Sequence, residues 1–391
     1  MARQPVLVLA VFVDAFGWEI VRERGFLDDV LTVRQPLGTV FGYSSTCIPS
    51  ILTGLWPRDH GHFSFFYHDP PRSPFRPLVP LGLLPRSITR RGRVRHLMSR
   101  VVKAAYGYTG YFQLYNLPFE HAALFDYSEK RDLYQPGGIR SGAPTLFDAC
   151  RDRGIPFSLS DWRAPEAANF ARLERDLDAG QVPFAYLYLA HLDAILHDTA
   201  KGSPQAEAHL QGYEAALRRV LQIAGRRYGE VRVHLFSDHG MATIVDTCDL
   251  KARIDRLGLR FGVDYVAVYD STMARFWFLA PGARERIHAA LADEPRGRVL
   301  DDATLAAWGC DFPGQTYGHT LFLLDAGVLL VPSFMGETRL AGMHGYAPDH
   351  ADSVAHYSSN VQVAEPPRDL THMKALLLAE VDAAVAAAGR R

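Results

Sequence analysis

Six good metal ligands fall at or just after the ends of apolar segments: Asp14, Asp193, His197, Asp238, His239 and His344. Three carboxylates and three imidazoles make two mixed N/O sites of three ligands each. Zinc favours such sets, and they leave positions open for substrate. Asp193 and His197 stand four residues apart. On a helix they point the same way, one turn apart. Asp238 and His239 precede Gly240, in a turn that can bring both onto one ion. A second feature is YSSTCIPSILTGLWPRDHG, residues 43–61, in which Ser44, Ser45, Thr46 and Cys47 lead into an apolar, helix-like run. Each of the four is a candidate nucleophile, and any Ser or Thr there could equally be only a helix N-cap. The chemistry open to such a set is metal-assisted attack by a hydroxyl or thiol.

These residues need a scaffold that gathers them. VLVLAVFVDAF (6–16), AYLYLAHLD (185–193) and VRVHLFSDHG (231–240) read as buried strands running into Asp14, Asp193 and Asp238-His239. Residues 203–229 have helical spacing and end in basic residues and glycine. Buried strands separated by helices predict a mainly parallel sheet covered on both faces, whose ligands collect beyond the carboxyl ends of the strands. The apolar N-terminus meets Asp14 too soon for a signal peptide and is too short to cross a bilayer, so it is expected to be the first strand. Residues 1–391 are expected to form one catalytic domain. Within it, the Pro-, Arg- and Tyr-rich segment 64–142 would be a lid inserted over the active edge, and 245–338 a small α/β subdomain.

Composition narrows the functional classes. Lys+Arg 42 against Asp+Glu 43 excludes a generally basic nucleic-acid coat, so no stable nucleic-acid complex is expected. Cys47, Cys150, Cys248 and Cys310 form no CxxC pair and read as reduced thiols of a cytoplasmic protein. The strongest local charge is the run Arg86, Arg90, Arg91, Arg93, Arg95, Arg100 and Lys103. It is either a solvated helix face or a surface that attracts an anionic substrate or a membrane. The aromatics from Tyr106 to Tyr115 could stack on a base or ring, or anchor the insertion.

In order and spacing, FVDAFGWE, YSSTCIPSILTGLWPRDHG, LDAILHDT, FSDHGMA and GMHGY resemble the alkaline phosphatase superfamily, and within it the type I phosphodiesterase/nucleotide pyrophosphatase family. The resemblance implies a three-layer αβα core and a metal-dependent hydrolase of phosphodiesters or phosphoanhydrides, with a small anionic phosphoester as substrate. It implies two divalent ions, with zinc the first expectation and manganese or another divalent ion the alternative. By matched position, Asp14, Asp238, His239 and Ser44 would hold one ion, and Asp193, His197 and His344 the other. The family's nucleophile lies nine positions before the Thr of a Thr-Gly pair; nine before Thr53 is Ser44. Cys47-Ile48-Pro49-Ser50 imitates a sulfatase motif, but Ile51 replaces its Arg and Cys47 lies one turn inside the helix. Relatives place an Asn shortly after the His-Gly turn to hold a phosphoryl oxygen. Phe65 stands there in this chain, beside Ser64, and together with Ser45 these are the candidate substrate contacts. Competing readings are a phosphomonoesterase or another phospho- or sulfo-transfer enzyme of the same superfamily, such as a sulfatase or a phospholipid headgroup transferase, and a metal-bound binding protein without catalysis.

Overall fold

The structure, a computed structural model, describes residues 4–389, without the side chains of Gln4 and Arg86. The arginine that opens the basic run thus lies outside the described side chains. The strands of the two main sheets are β1 (Gln4–Val13), β2 (Val33–Leu37), β3 (Phe157–Leu159), β4 (Phe184–Leu189), β5 (Tyr228–Phe236), β6 (Tyr265–Tyr269), β7 (Met273–Phe278), β8 (Gly297–Val299), β9 (Thr320–Leu324) and β10 (Ala355–Ser359). The helices used below are α1 (Ser44–Thr53), α2 (Gly92–Tyr106), α3 (Glu166–Ala179), α4 (His191–Thr199), α5 (Pro204–Arg227) and α6 (Met373–Gly389).

The central sheet has six strands in the order β2-β10-β5-β1-β4-β3. β1 runs parallel to β4 and β5, and β3 parallel to β4, whereas β10 is antiparallel to both β2 and β5. The alternation of side chains along a strand sorts the core into two halves. From β1, Leu7, Leu9, Val11 and Val13 point into a layer with Leu173 of α3, Leu192 and Leu196 of α4, and Leu210 and Leu217 of α5. Val8, Ala10 and Phe12 point the other way, against Cys47, Ile51 and Leu52 of α1 and Leu377 and Val381 of α6. A strand buried on both faces has no room for polar residues, so β1 reads as an unbroken apolar run. The result is a three-layer αβα core.

Two segment boundaries differ from the sequence reading. β4 stops at Leu189, so Asp193 lies in α4 and not at a strand end. The reason is a remote cap: Ala190 offers no side chain to the helix start, and Glu166 Oε1 accepts the His191 N–H at 2.9 Å instead. The 203–229 helix ends at Arg227 and passes straight into β5 at Tyr228. Residues 265–324 contain an antiparallel sheet of four strands, order β6-β7-β9-β8. Residues 64–142 hold α2 and the short strand pair Phe66–His68 and Phe125–Tyr127. Among the described residues no helix is long and apolar enough to cross a membrane.

Candidate active site

The site lies beyond the carboxyl ends of β1, β4 and β5. Asp14 follows β1, and its N–H is held by Leu189 O at 2.9 Å. Asp238 and His239 leave β5 in a turn that requires glycine next: a Cβ on residue 240 would meet Asp352 O at 2.4 Å. His344 follows a two-residue pairing of Gly342–Met343 with Ala242–Thr243, which brings it beside His239. Their rings stack at 3.7 Å with 10° between planes. A Cβ at Gly345 would run into the Tyr43 ring at 2.5 Å, and the φ of +90° there suits glycine.

Ser44 opens α1. The cap residue Tyr43 is extended and supplies no side-chain acceptor; its carbonyl accepts from the Thr46 and Cys47 N–H groups at 2.6 and 3.0 Å, which leaves Ser44 and Ser45 to present theirs at the helix start. The helix stops at Gly54, left-handed at φ 74°, whose N–H bonds Ser50 O at 2.9 Å. Ser44 Oγ lies 3.0 Å from His239 Nε2 and 3.4 Å from Asp14 Oδ1. Cys47 points into the core instead, fully buried against Thr39 and Val40, and burial holds its thiol pKa well above the usual value. It is therefore a neutral packing group with no path to the site.

Six polar side chains converge here. His239 Nε2 lies 3.2 Å from Asp238 Oδ2 and 3.5 Å from Asp14 Oδ1. Asp193 Oδ2 is 3.3 Å from His197 Nε2, and its Oδ1 is 3.5 Å from His344 Nε2. His197 Nδ1 bonds Gly342 O, and His239 Nδ1 bonds Gly240 O, each at 2.9 Å. Those carbonyls accept from Nδ1–H, which keeps that proton on the ring and leaves Nε2 of both rings aimed at the carboxylates. Asp193, His197 and His344 form one cluster of close donor atoms, and Asp14, Asp193 and His239 another. The structure thus brings Asp14, Ser44, Asp193, His197, Asp238, His239 and His344 together.

The electrostatics are those of a cation site. Burial, then the charges of Asp238 and Asp193, raise the Asp14 carboxyl well above the carboxylate range. Burial alone would lower His239, but Asp238 and Asp14 outweigh it and raise it to about 10. His344 is pushed well below the usual histidine value by burial and by His239. Asp193 Oδ1 and Asp238 Oδ2 are buried without a hydrogen bond. Three carboxylates crowded at one site, with two buried oxygens that meet only imidazoles at 3.2 and 3.5 Å and no well-formed hydrogen bond, are costly unless a cation sits among them. The donor set therefore fits divalent metal, and carboxylate with imidazole suits zinc or manganese chemistry.

Beside these residues opens a cavity of about 620 Å³. Its wall includes Phe65, Tyr111, Tyr115, Trp162 and Tyr188, with Glu129 and Ser45. Phe65 stacks on Tyr115 at 5.8 Å and Tyr127 at 5.5 Å. Ser64 is not free to take a substrate oxygen. Its hydroxyl donates to Asp270 Oδ1 at 2.9 Å and accepts from the Arg275 guanidinium at 2.8 Å. Arg275 also donates to Asp270 Oδ2 at 2.8 Å and to Phe66 O at 2.7 Å, fully buried. Ser45 Oγ reaches Phe63 O at 3.5 Å.

Several groups escaped the sequence reading. Tyr188 donates to Asp14 Oδ2 at 2.6 Å. The alternation of AYLYLA in β4 could have aimed it at the site. Glu129, raised to about 8 by burial, carried no local signal. His60 and His62, by contrast, are what the His-Gly turn suggests for His60, buried structural hydrogen-bonding groups, on Ser50 Oγ and the Arg140 N–H respectively.

Fold and site together define a phosphoric ester hydrolase built on an alkaline-phosphatase-type core. The chain belongs to the type I phosphodiesterase/nucleotide pyrophosphatase family, whose model matches residues 8–300. The family is metal-dependent, and the clusters above are its candidate ligands here. Murine ectonucleotide pyrophosphatase/phosphodiesterase 5 superposes with a TM-score of 0.67 at 15% identity, over 96% of this chain and 95% of that one. The human counterpart gives 0.68 at 14% identity, with the same coverage. An inactive Thr-to-Ala variant of the murine protein, in complex with AMP, gives 0.66 at 15% identity over 96% and 95% of the two chains. At these identities the neighbours establish the fold. No curated protein shows significant sequence similarity to the chain.

Proposed function

We propose that the chain hydrolyses phosphodiesters or phosphoanhydrides through a covalent phospho-Ser44 intermediate at a two-metal centre. The observation that carries this reading is the position of Ser44 Oγ within 3.4 Å of both Asp14 and His239, at the open N-terminus of α1. Asp14, Asp238 and His239 would hold one ion with Ser44, and Asp193, His197 and His344 the other. When bound, divalent ions supply Lewis acidity to the serine oxygen and to the transferring phosphoryl group. Tyr188 fixes the Asp14 carboxylate, and Gly240 O and Gly342 O fix the two imidazoles. The N–H groups of Ser44 and Ser45, at the start of α1, would give the phosphoryl oxygens a positive helix end.

In the first step the Ser44 hydroxyl proton passes to solvent water as Oγ bonds to phosphorus, and the bond to the leaving oxygen breaks; that oxygen leaves as phosphate, or takes a proton from water and leaves as alcohol. In the second, water attacks phosphorus, the Oγ–P bond breaks, and serine is restored. The aromatic wall of Phe65, Tyr111 and Trp162 fits a planar leaving group or base. AMP bound to a neighbour of the same fold supports a nucleotide-type substrate. Phe65, where relatives place the phosphoryl-binding Asn, leaves that oxygen to the ions and helix end. A panel of bis-aryl phosphate, aryl phosphate and aryl sulfate tests the reading. Preferred turnover of the diester, with phosphate trapped on Ser44 and detected by mass spectrometry, is expected. Preference for the monoester would make the chain a phosphomonoesterase, and turnover without label on Ser44 would overturn the covalent route.

A further inference from the structure

We infer that residues 83–106 form a docking face for the surface of an anionic lipid bilayer. Among the described residues eleven large hydrophobic side chains are exposed, and six of them lie in this one segment: Leu83, Leu84, Ile88, Leu97, Val101 and Tyr106. Leu83 is 91% exposed, Leu97 59% and Val101 52%. Single exposed hydrophobics are ordinary, but a concentration of them marks an interaction surface.

The packing of α2 shows that this exposure belongs to the fold. One face of the helix is pinned: Arg95, Ser99 and Val102 are buried. The Arg95 guanidinium lies 3.8 Å over the Phe119 ring and donates to Thr89 O and Leu117 O, each at 2.6 Å. Ser99 Oγ accepts the Leu114 N–H at 2.9 Å. With that face fixed inward, the opposite face presents Arg93, Leu97, Arg100, Val101 and Ala104 to solvent. Apolar side chains flanked by arginine on one helix face are the pattern of a helix that lies in a membrane interface.

Charge selects the occupant. No Asp or Glu occurs between Asp69 and Glu120. Arg90 is neutralised by Glu337 at 2.5 Å, but Arg93 and Arg100 have no carboxylate partner among the described residues, and Arg91 bonds only Ser87 O. A cationic rim around leucine and valine matches a negatively charged headgroup layer above acyl chains. A nucleic-acid surface would use the arginines and leave Leu83, Leu97 and Val101 in water. The Ser99–Leu114 contact ties the face to the loop bearing Tyr111 and Tyr115, so docking would set the cavity wall beside the lipid surface.

Co-sedimentation of the full chain with vesicles tests this, comparing pure phosphatidylcholine with phosphatidylcholine/phosphatidylglycerol mixtures. Binding to the anionic vesicles, weak binding to the neutral ones and release by salt are expected. Leu97→Asp with Val101→Asp should abolish binding at low salt. Arg91→Gln, Arg93→Gln and Arg100→Gln should each cost about fivefold in partitioning, and roughly a hundredfold together. Circular dichroism and hydrolysis of a soluble aryl phosphodiester should stay unchanged in both variants. The inference is overturned if anionic vesicles leave the protein in the supernatant. It is equally overturned if the aspartate variant sediments like the unaltered chain, or if heparin binds it while vesicles do not.

Discussion

The Ser44 hydroxyl sits 3.0 Å from His239 Nε2, although 195 positions separate the two residues. The contact joins the start of α1 to the turn after β5, and it sets the terms for the first test. Ser44→Ala should lower kcat at least about a thousandfold while circular dichroism and metal content stay near those of the unaltered chain. Cys47→Ala, one turn further on, should keep kcat and cost about 1–2 kcal/mol of stability through a small cavity. Loss of turnover in the cysteine variant alone would move the nucleophile.

Metal content is the second expectation. The two carboxylate–imidazole clusters call for about two divalent ions per chain. Elemental analysis of protein purified without chelator should find them, and chelation should stop turnover until zinc or manganese is restored. Full activity in chelator would sink the two-metal reading.

Metal uptake should also release protons. In the metal-free chain His239, at about 10, is protonated at neutral pH, and the raised Asp14 binds its proton more tightly than a free carboxylate does. A ligating group must give up its proton. Affinity should therefore rise with pH and fall as His239 stays charged in acid. Calorimetric titration of zinc in two buffers of different ionisation enthalpy reads the released protons. Identical heats in both buffers would contradict it.

The buried Asp270–Arg275 pair should be costly to break from one side. Arg275→Met leaves Asp270 without its cation in the interior and should destabilise by about 3–5 kcal/mol in denaturant unfolding. Replacing Asp270 as well, with Asn, should recover part of the loss. A single variant as stable as the unaltered chain would show that the pair is dispensable.

Phe65 should act on binding more than on chemistry. Phe65→Ala removes its stacking with Tyr115 and opens the cavity wall. An increase of about tenfold in KM for a bis-aryl phosphodiester is expected, with kcat within about twofold. A matching fall in kcat would mean that the ring positions the reacting phosphate.

Much of this arrangement is legible because β1 and β4 are nearly continuous apolar runs, β5 alternates Val231, Val233 and Leu235 with polar residues, and each is followed within a few residues by Asp or His. In a mainly parallel sheet that pattern marks both the strand and the edge where ligands gather. Asp193 looks like a strand-end residue in the sequence because its helix has no cap of its own; the cap, Glu166, lies 25 residues before His191. The Ser64–Asp270–Arg275 knot was invisible for a similar reason, since its partners lie 206 and 211 residues from Ser64. The basic run is a single feature in the sequence, yet Arg95 is buried over Phe119, Arg90 is paired with Glu337, and Arg93 and Arg100 face solvent. Charge pattern alone does not reveal which side of a helix the fold covers.

The position of β10 has a consequence for how the molecule is made. β10 fits between β2 and β5, so β2 has no neighbour in the sheet until Ala355–Ser359 has left the ribosome. β1, β3, β4 and β5 can pair well before that point, but the edge from which the chain enters α1 must wait. β2 thus waits unpaired through most of translation, and between the completion of β5 and that of β10 the half-built sheet keeps an open side, a state in which unpaired strands invite other chains. A chain cut before residue 355 would keep all six carboxylate and imidazole groups and still lack the strand that closes the sheet, so its expected fate is aggregation and not slow catalysis.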